Sequence, residues 1–366
     1  MKIKRRLFIK ILKHLGCSDY ASKCYADLWL EDIASENKIP WKKKIWAYRR
    51  GFLSCNSLNY GLTETNYRHY LSDLDYARMF PINSAYRKWI DDKVTMKMVL
   101  AKYNEFLPEY YYTIRKDGRI LTSVDLESSY TDSIDDMIRL LKDKGNLAAK
   151  MVDGKGGVGF YRLTFDGKQF MINQDTVDDD KLHHFLKNLH GYILTEYITS
   201  HLEISKYNNK PNNTIRFMVI NEDGNCPIIA NGLLKMSVNT SSEVDYTMQG
   251  GICARIDMNT GDYSHAKITK DLMAYDIERH PISGLEIKGT IPHWQMVKDK
   301  VCEISQYISE IQYMGYDIII TDTSFKIIEI NSHQDIDWHQ DYVPLLKDNP
   351  AEAFFKALQS KIKSNK

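Results

Sequence analysis

One stretch near the C-terminus leaves few ways for the chain to fold around it. From Tyr316 to Asn331 it reads Tyr-Asp-Ile-Ile-Ile-Thr-Asp-Thr-Ser-Phe-Lys-Ile-Ile-Glu-Ile-Asn. Apolar, largely β-branched runs on either side of Asp322–Ser324 predict two antiparallel strands joined by a tight turn. In such a hairpin Asp317 lies beside Glu329 and Asn331. These last two are two residues apart, so their side chains point to the same face. Two carboxylates and an amide oxygen converging there make a hard-oxygen site suited to Mg²⁺ held against phosphates. A solvated hairpin whose polar residues merely face water is the plainer reading of the same pattern.

Upstream, Leu147 to Val152 reads as a short strand carrying Lys150 near its end. Asp153-Gly154-Lys155-Gly156-Gly157-Val158-Gly159 comes next, then a second strand from Phe160 to Phe165. The turn Asp166-Gly167 and a third strand, Lys168 to Asn173, complete a small antiparallel sheet. Glycines let successive backbone N–H groups approach an anion with no Cβ in the way. A lysine on the neighbouring strand adds a point charge for the same phosphates. No GKS or GKT opens a helix after this loop, and it is not a strand-to-helix turn. The two commoner phosphate-loop patterns therefore do not apply. An ordinary glycine turn stays open as the alternative.

Taken in order along the chain, these pieces resemble the ATP-grasp superfamily. The pattern opens with Asp92-Lys93 and Lys97, and continues with Lys150 and the glycine-rich lid, Gly154 to Gly159. Next comes Ile193-Leu194-Thr195-Glu196-Tyr197-Ile198, and it closes with Asp317, Glu329 and Asn331. The likeness is greatest to the sugar-transfer-associated branch, also described as α-L-glutamate-ligase-related. Its flavour shows in Asn213-Thr214-Ile215-Arg216 and in Gln249-Gly250-Gly251-Ile252 with Asp257-Met258-Asn259-Thr260-Gly261. It shows again in His280-Pro281 and Gly289-Thr290-Ile291-Pro292-His293-Trp294. The resemblance spans roughly residues 80–345. It implies an α+β, ATP-grasp fold, in which two α/β subdomains clasp ATP, preceded by an N-terminal helical region.

The same resemblance implies roles. Lys93 and Lys150 would contact ATP phosphates, with Gly154, Lys155, Gly156 and Gly157 in the lid. Glu196 and the backbone near Ile198 would read adenine, and Glu203 has the spacing of the ribose-binding glutamate in D-alanine–D-alanine ligases. Asp317, Glu329 and Asn331 would hold Mg²⁺. The implied reaction is carboxylate activation: an acyl phosphate forms from ATP and an amine then attacks it. Arg216, Lys235, Arg255 and His280 are the candidates for the acceptor end, since arginine suits a carboxylate and histidine can take an amine's proton. Lys235 stands where the branch leads one to expect arginine, and it lacks the bidentate fork. Arg216 also reads as a structural ion pair, and His280 as a turn residue before Pro281.

The substrates expected are a small-molecule or glycan carboxylate and an amine, in capsule, O-antigen or other surface-polysaccharide assembly. Two further readings are a phosphotransferase acting on a hydroxyl and a non-catalytic nucleotide-binding partner of a glycosyltransferase. Detecting acyl phosphate separates the first two. Six cysteines without a CxxC pair, and no HExxH spacing, give no support to a zinc site. Apolar content of 43% and charged content of 27% are ordinary for a soluble globular protein. No nucleic-acid motif accompanies the basic clusters, so no nucleic-acid partner is expected.

Charge divides the chain unevenly. Residues 1–50 hold 13 Lys/Arg against 5 Asp/Glu, whereas the whole chain carries only +1. Within residues 1–16, Ile3, Leu7, Phe8, Ile11, Leu12 and Leu15 form one helical stripe between basic residues, with Gly16 as the stop. Such a helix fits an anionic membrane surface or a membrane-bound glycosyltransferase, and equally an ordinary core helix. Lys10 and Lys13 interrupt any signal-peptide core, so the expected location is cytoplasmic, with the inner membrane face as an added peripheral site. The expected organisation is a helical region over 1–90, a small subdomain with the lid over 91–190, and a metal-bearing subdomain over 191–366.

Overall fold

A computed structural model describes residues 2–35, 39–154, 157–208, 212–238 and 251–364. Helices come first: α1 (Lys2–His14), α2 (Asp19–Ala34), α3 (Trp41–Arg49), α4 (Ser54–Asn59), α5 (Asp73–Met79), α6 (Lys88–Asp91) and α7 (Lys93–Val99). Ser18, Ser72 and Asp92 start α2, α5 and α7 by accepting a backbone N–H three residues on. The stripe of α1 is split. Leu12, Phe8 and Ile9 join a small core with Ala21 and Ala26 of α2. Leu7 and Ile11 stay 60% and 44% exposed. Core packing therefore accounts for one face of α1 and leaves an apolar strip outside.

Next come β1 (Tyr110–Ile114), β2 (Ile120–Thr122), α8 (Ile134–Lys144), β3 (Asn146–Met151), β4 (Tyr161–Phe165), β5 (Phe170–Ile172), β6 (Asp175–Val177), α9 (Asp179–Lys187) and β7 (Tyr192–Glu196). The strands form an antiparallel sheet in the order β2-β1-β7-β3-β4-β5-β6. Met137, Leu140 and Leu141 of α8 and Leu182 and Leu186 of α9 cover it against Leu147, Leu163 and Leu194. Because β7 sits between β1 and β3, this sheet extends to Glu196, past the division expected near residue 190. The division expected near residue 90 falls inside α6.

The chain continues through α10 (Leu202–Ser205), β8 (Thr214–Ile220), β9 (Ile228–Met236), β10 (Ile252–Ile256), β11 (Asp262–Lys270), β12 (Met273–Ile277), β13 (Gly289–Thr290) and α11 (Trp294–Tyr307). It ends with β14 (Tyr313–Ile320), β15 (Phe325–Asn331), α12 (Asp337–Gln340) and α13 (Glu352–Ser364). These strands form a second antiparallel sheet, β12-β11-β10-β9-β8-β14-β15, with β13 beside β11. Val297, Val301 and Ile304 of α11 join the large core with Phe217, Met314 and Ile318. Phe354 and Phe355 of α13 and Tyr76 of α5 join Met218, Ile220 and Tyr313 in another. Every residue of β8 and β14 is buried. A charge on either strand must therefore find a partner inside.

The N-terminal helices are tied to the large sheet. The Asn83 amide donates to the Tyr313 carbonyl at 2.7 Å, and its oxygen accepts from the Gln312 and Tyr313 N–H groups at 3.0 Å. The Gln340 side chain pairs with both backbone groups of Leu71. The helices are joined to one another through Asp32 of α2, which is fully buried. Its carboxylate accepts from Tyr48 Oη at 2.7 Å, Ser54 N at 2.8 Å, Ser54 Oγ at 2.9 Å and Cys55 N at 3.0 Å. Burial opposes its ionisation, yet these donors hold the carboxyl below its ordinary range. Asp32→Ala would strand four buried donors, and a stability loss of about 3 kcal/mol is expected in urea unfolding. A loss below about 0.5 kcal/mol would show that Asp32 does not tie the helices together.

Candidate functional site

The β14–β15 register sets Asp317 directly opposite Glu329, and Gly315 opposite Asn331. A register shift after Asp317 leaves Ile328 as the extra residue, and Ile328, Glu329 and Asn331 all line one cleft. Gly315 has to be glycine, since a Cβ there would stand 2.8 Å from the Gln334 side chain. On the other side of β14, Asp317 pairs with Arg216 of β8. Arg216 grips it through Nε–Oδ1 at 2.8 Å and Nη2–Oδ2 at 2.6 Å. Lys235 of β9 adds its Nζ at 3.4 Å, and Asn331 Nδ2 lies 3.4 Å from Oδ2. Burial works against the Asp317 charge, but Arg216 and then Lys235 outweigh it and hold the carboxyl below its ordinary range. The Trp338 ring borders both cations, with centroid distances of 6.0 and 5.8 Å.

Lys93 begins α7 and reaches two ways. Its Nζ donates to the Gly154 carbonyl at 3.0 Å and stands 3.5 Å from Glu329 Oε2. Lys150 comes from β3 and lines the same cleft as Lys93, Gly154 and Gly157. Burial and the nearby Lys93 charge push its ammonium down to about 8. A Cβ on Gly154 would meet Met151 Cβ at 2.7 Å, so the loop can turn there only without a side chain. Glu196 closes β7, accepts from Glu109 N at 3.1 Å and lies 3.9 Å from Lys326 Nζ. The Ile198 carbonyl accepts from Asn212 Nδ2 at 2.6 Å. These groups share a cleft of about 490 Å³. The donors Asp317, Glu329 and Asn331 are all oxygen ligands, which fits a hard divalent cation. Arg216 already meets both Asp317 oxygens, so Glu329 is the less encumbered donor.

Several candidates lie elsewhere. Arg255 is exposed on β10 and is not part of the cleft lining. His280 is fully buried against the Tyr207 ring, 5.8 Å between centroids, also outside that lining. Burial pushes its pKa below the ordinary imidazole range. Glu203 is held by Lys206 at 2.5 Å and Tyr263 Oη at 3.0 Å, outside that lining. Lys155, Gly156, Gln249 and Gly250 fall outside the described residues. Conversely, His333, Asp335 and Trp338 line the cleft, as do Tyr20, Tyr25 and Leu28 of α2. The first three come soon enough after Asn331 to have been suspected. Nothing local in α2 announces its part.

The sequence matches the model of the sugar-transfer-associated ATP-grasp family over residues 74–341. The chain belongs to that family. No curated protein matches it significantly. Among solved structures, the ATP-grasp ligase PsnB complexed with minimal precursor is 13% identical, covering 76% of this chain and 64% of its own, at TM-score 0.39. The chain thus spans under two thirds of that protein. D-alanine–D-alanine ligase from Bacillus anthracis is 12% identical over 75% of this chain and 69% of its own, at TM-score 0.37. N5-carboxyaminoimidazole ribonucleotide synthetase from Thermotoga maritima is 10% identical over 74% and 49%, at TM-score 0.39.

In this ATP-grasp chain the low Lys150 pKa generates a pH signature. A bound phosphate favours the charged lysine, so binding draws a proton back onto it above about pH 8. Affinity for ADP should be full below about pH 8 and fall by up to tenfold per unit above it. Calorimetric titrations between about pH 7 and 9.5 measure this, and Lys150→Met should flatten the profile. A profile already flat in the parent protein would remove Lys150 from the anion site.

Proposed function

We propose that this protein is an ATP-dependent carboxylate–amine ligase acting on a sugar carboxylate in surface-polysaccharide assembly. The observation that carries the reading is the convergence of Lys93, Lys150, Arg216 and Lys235 with the Asp317–Glu329 pair in one cleft bordered by Gly154 and Gly157. Glu196, Asp317, Glu329 and Asp335 balance the four cations in the lining, and Lys93 and Lys150 stand together on the glycine-loop side, where a triphosphate brought against a carboxylate needs positive charge. Lys93 and Lys150 hold the phosphates, and Glu196 and the Ile198 backbone lie at the adenine end. Asp317, Glu329 and Asn331 would hold Mg²⁺, which supplies charge neutralisation between phosphate oxygens. The substrate carboxylate attacks the γ-phosphorus, forming an acyl–O–P bond and releasing ADP. An amine then adds to the acyl carbon, the C–O bond to phosphate breaks, and the nitrogen gives up a proton.

Hydroxylamine trapping tests this. With ATP, Mg²⁺ and a uronate, hydroxamate should form only when all three are present. Asp317→Asn and Glu329→Gln should each cut its rate by about a hundredfold. A phosphorylated hydroxyl with no hydroxamate would instead mark a phosphotransferase. No turnover with any uronate would favour the non-catalytic role. A cytoplasmic protein working on membrane-linked glycans also suits the outward Leu7 and Ile11 among basic neighbours. Binding to vesicles containing anionic phospholipid should fall severalfold in the Leu7→Ser, Ile11→Ser variant. Equal sedimentation of both proteins would exclude α1 as the anchor.

A further inference from the structure

The family match begins at residue 74, yet one wall of the cleft is made by α2, which ends at Ala34. Tyr20, Cys24 and Leu28 recur every four residues, and all of them line the cleft, so a single stripe of α2 faces it. The stripe is left partly open among the described residues: Tyr20 remains 45% exposed and Cys24 is exposed. It is nevertheless held in place. The Tyr25 hydroxyl and His333 Nε2 lie 3.0 Å apart, joining α2 to the loop after Asn331. His333 itself stacks on Tyr76 at 4.1 Å and 8°. The Tyr20 ring stacks on Phe80 at 4.7 Å and 24°, with the Arg87 guanidinium 5.9 and 5.5 Å from the two ring centroids.

The resulting chamber has an aromatic wall on α2 and polar groups, Gln334 and Asp335, on the β15 side. Arg216 and Lys235 line the same cleft and are buried. A pyranose ring has an apolar C–H face, a rim of hydroxyls and, in a uronic acid, one carboxylate. Aromatic platforms take the face, polar side chains take the hydroxyls, and the cations draw the carboxylate inward.

We propose that α2 is the acceptor-recognition wall of the cleft, and that it seats the ring of a hexuronate whose carboxylate points toward Arg216 and Lys235. The proposal rests on the ligase reading for the chemistry after binding, but not for the binding itself. Cys24 is a built-in reporter. Its alkylation by N-ethylmaleimide, detected by peptide mass spectrometry in the full chain, is compared with that of exposed Cys226, which lies outside the cleft lining. With Mg²⁺ and ADP present throughout, adding methyl glycosides of D-glucuronate and D-galacturonate should slow Cys24 at least fivefold and leave Cys226 unchanged. Tyr20→Ala should weaken that protection at least fivefold while ADP affinity stays within twofold. Hydroxamate formation without Cys24 protection overturns the α2 site and leaves the ligase standing. Protection without hydroxamate supports the site and removes the ligase. Absence of both overturns the site, as does protection undiminished in Tyr20→Ala.

Discussion

A guanidinium gripping a carboxylate in the middle of a buried sheet governs this molecule. Arg216 and Asp317 lie on adjacent interior strands, each 7% exposed. Either charge alone at that depth would cost several kcal/mol. The pair is tolerable because its geometry is bidentate and because Lys235 and Asn331 engage the carboxylate as well. The four residues come from β8, β14, β9 and β15, so correct register across four strands is needed to assemble them. A slip of one residue on any of these strands would turn its polar side chain to the other face and leave a charge unmatched. Folding the large sheet therefore also assembles the Asp317 end of the candidate site.

The second joint is Lys93. It is the first residue of α7, 6% exposed, and it touches Glu329 on the large sheet and the Gly154 carbonyl beside the glycine loop. Its charge also lowers the pKa of Lys150 on the small sheet. Two cations on the walls of one cleft repel one another until an anion enters between them. A polyphosphate bound there would relieve that repulsion and gain both attractions, so the cost of pre-placing the lysines returns as affinity.

How much the sequence discloses depends on separation along the chain. The β14–β15 hairpin and the strand-loop-strand around Lys150 are local, and their patterning alone suffices to draw them. The pairing of Arg216 with Asp317 spans 101 residues, and the sequence suggests only that Arg216 could enter a structural ion pair, without its partner. Other candidates lie outside the cleft lining. Glu203 has a ribose-glutamate spacing, but Lys206 and Tyr263 hold it elsewhere. Arg255 belongs to a strand whose pairing with β11 shifts register just before it, and it emerges exposed. His280 lies under the Tyr207 ring, which no local pattern specifies. The place of β7 within the small sheet and of α2 beside the cleft are topological facts. Each is set by what the rest of the chain leaves uncovered.

The lysine at 235 then has a physical reason. Arg216 already uses a planar fork on both oxygens of Asp317. A second fork on the next strand would compete for the same lone pairs and crowd the Trp338 ring that borders both positions. An ammonium approaches one oxygen as a point charge, at 3.4 Å, and leaves the fork undisturbed. Arginine and lysine thus meet Asp317 in different ways: one grips both carboxylate oxygens, and the other adds a point charge to one of them.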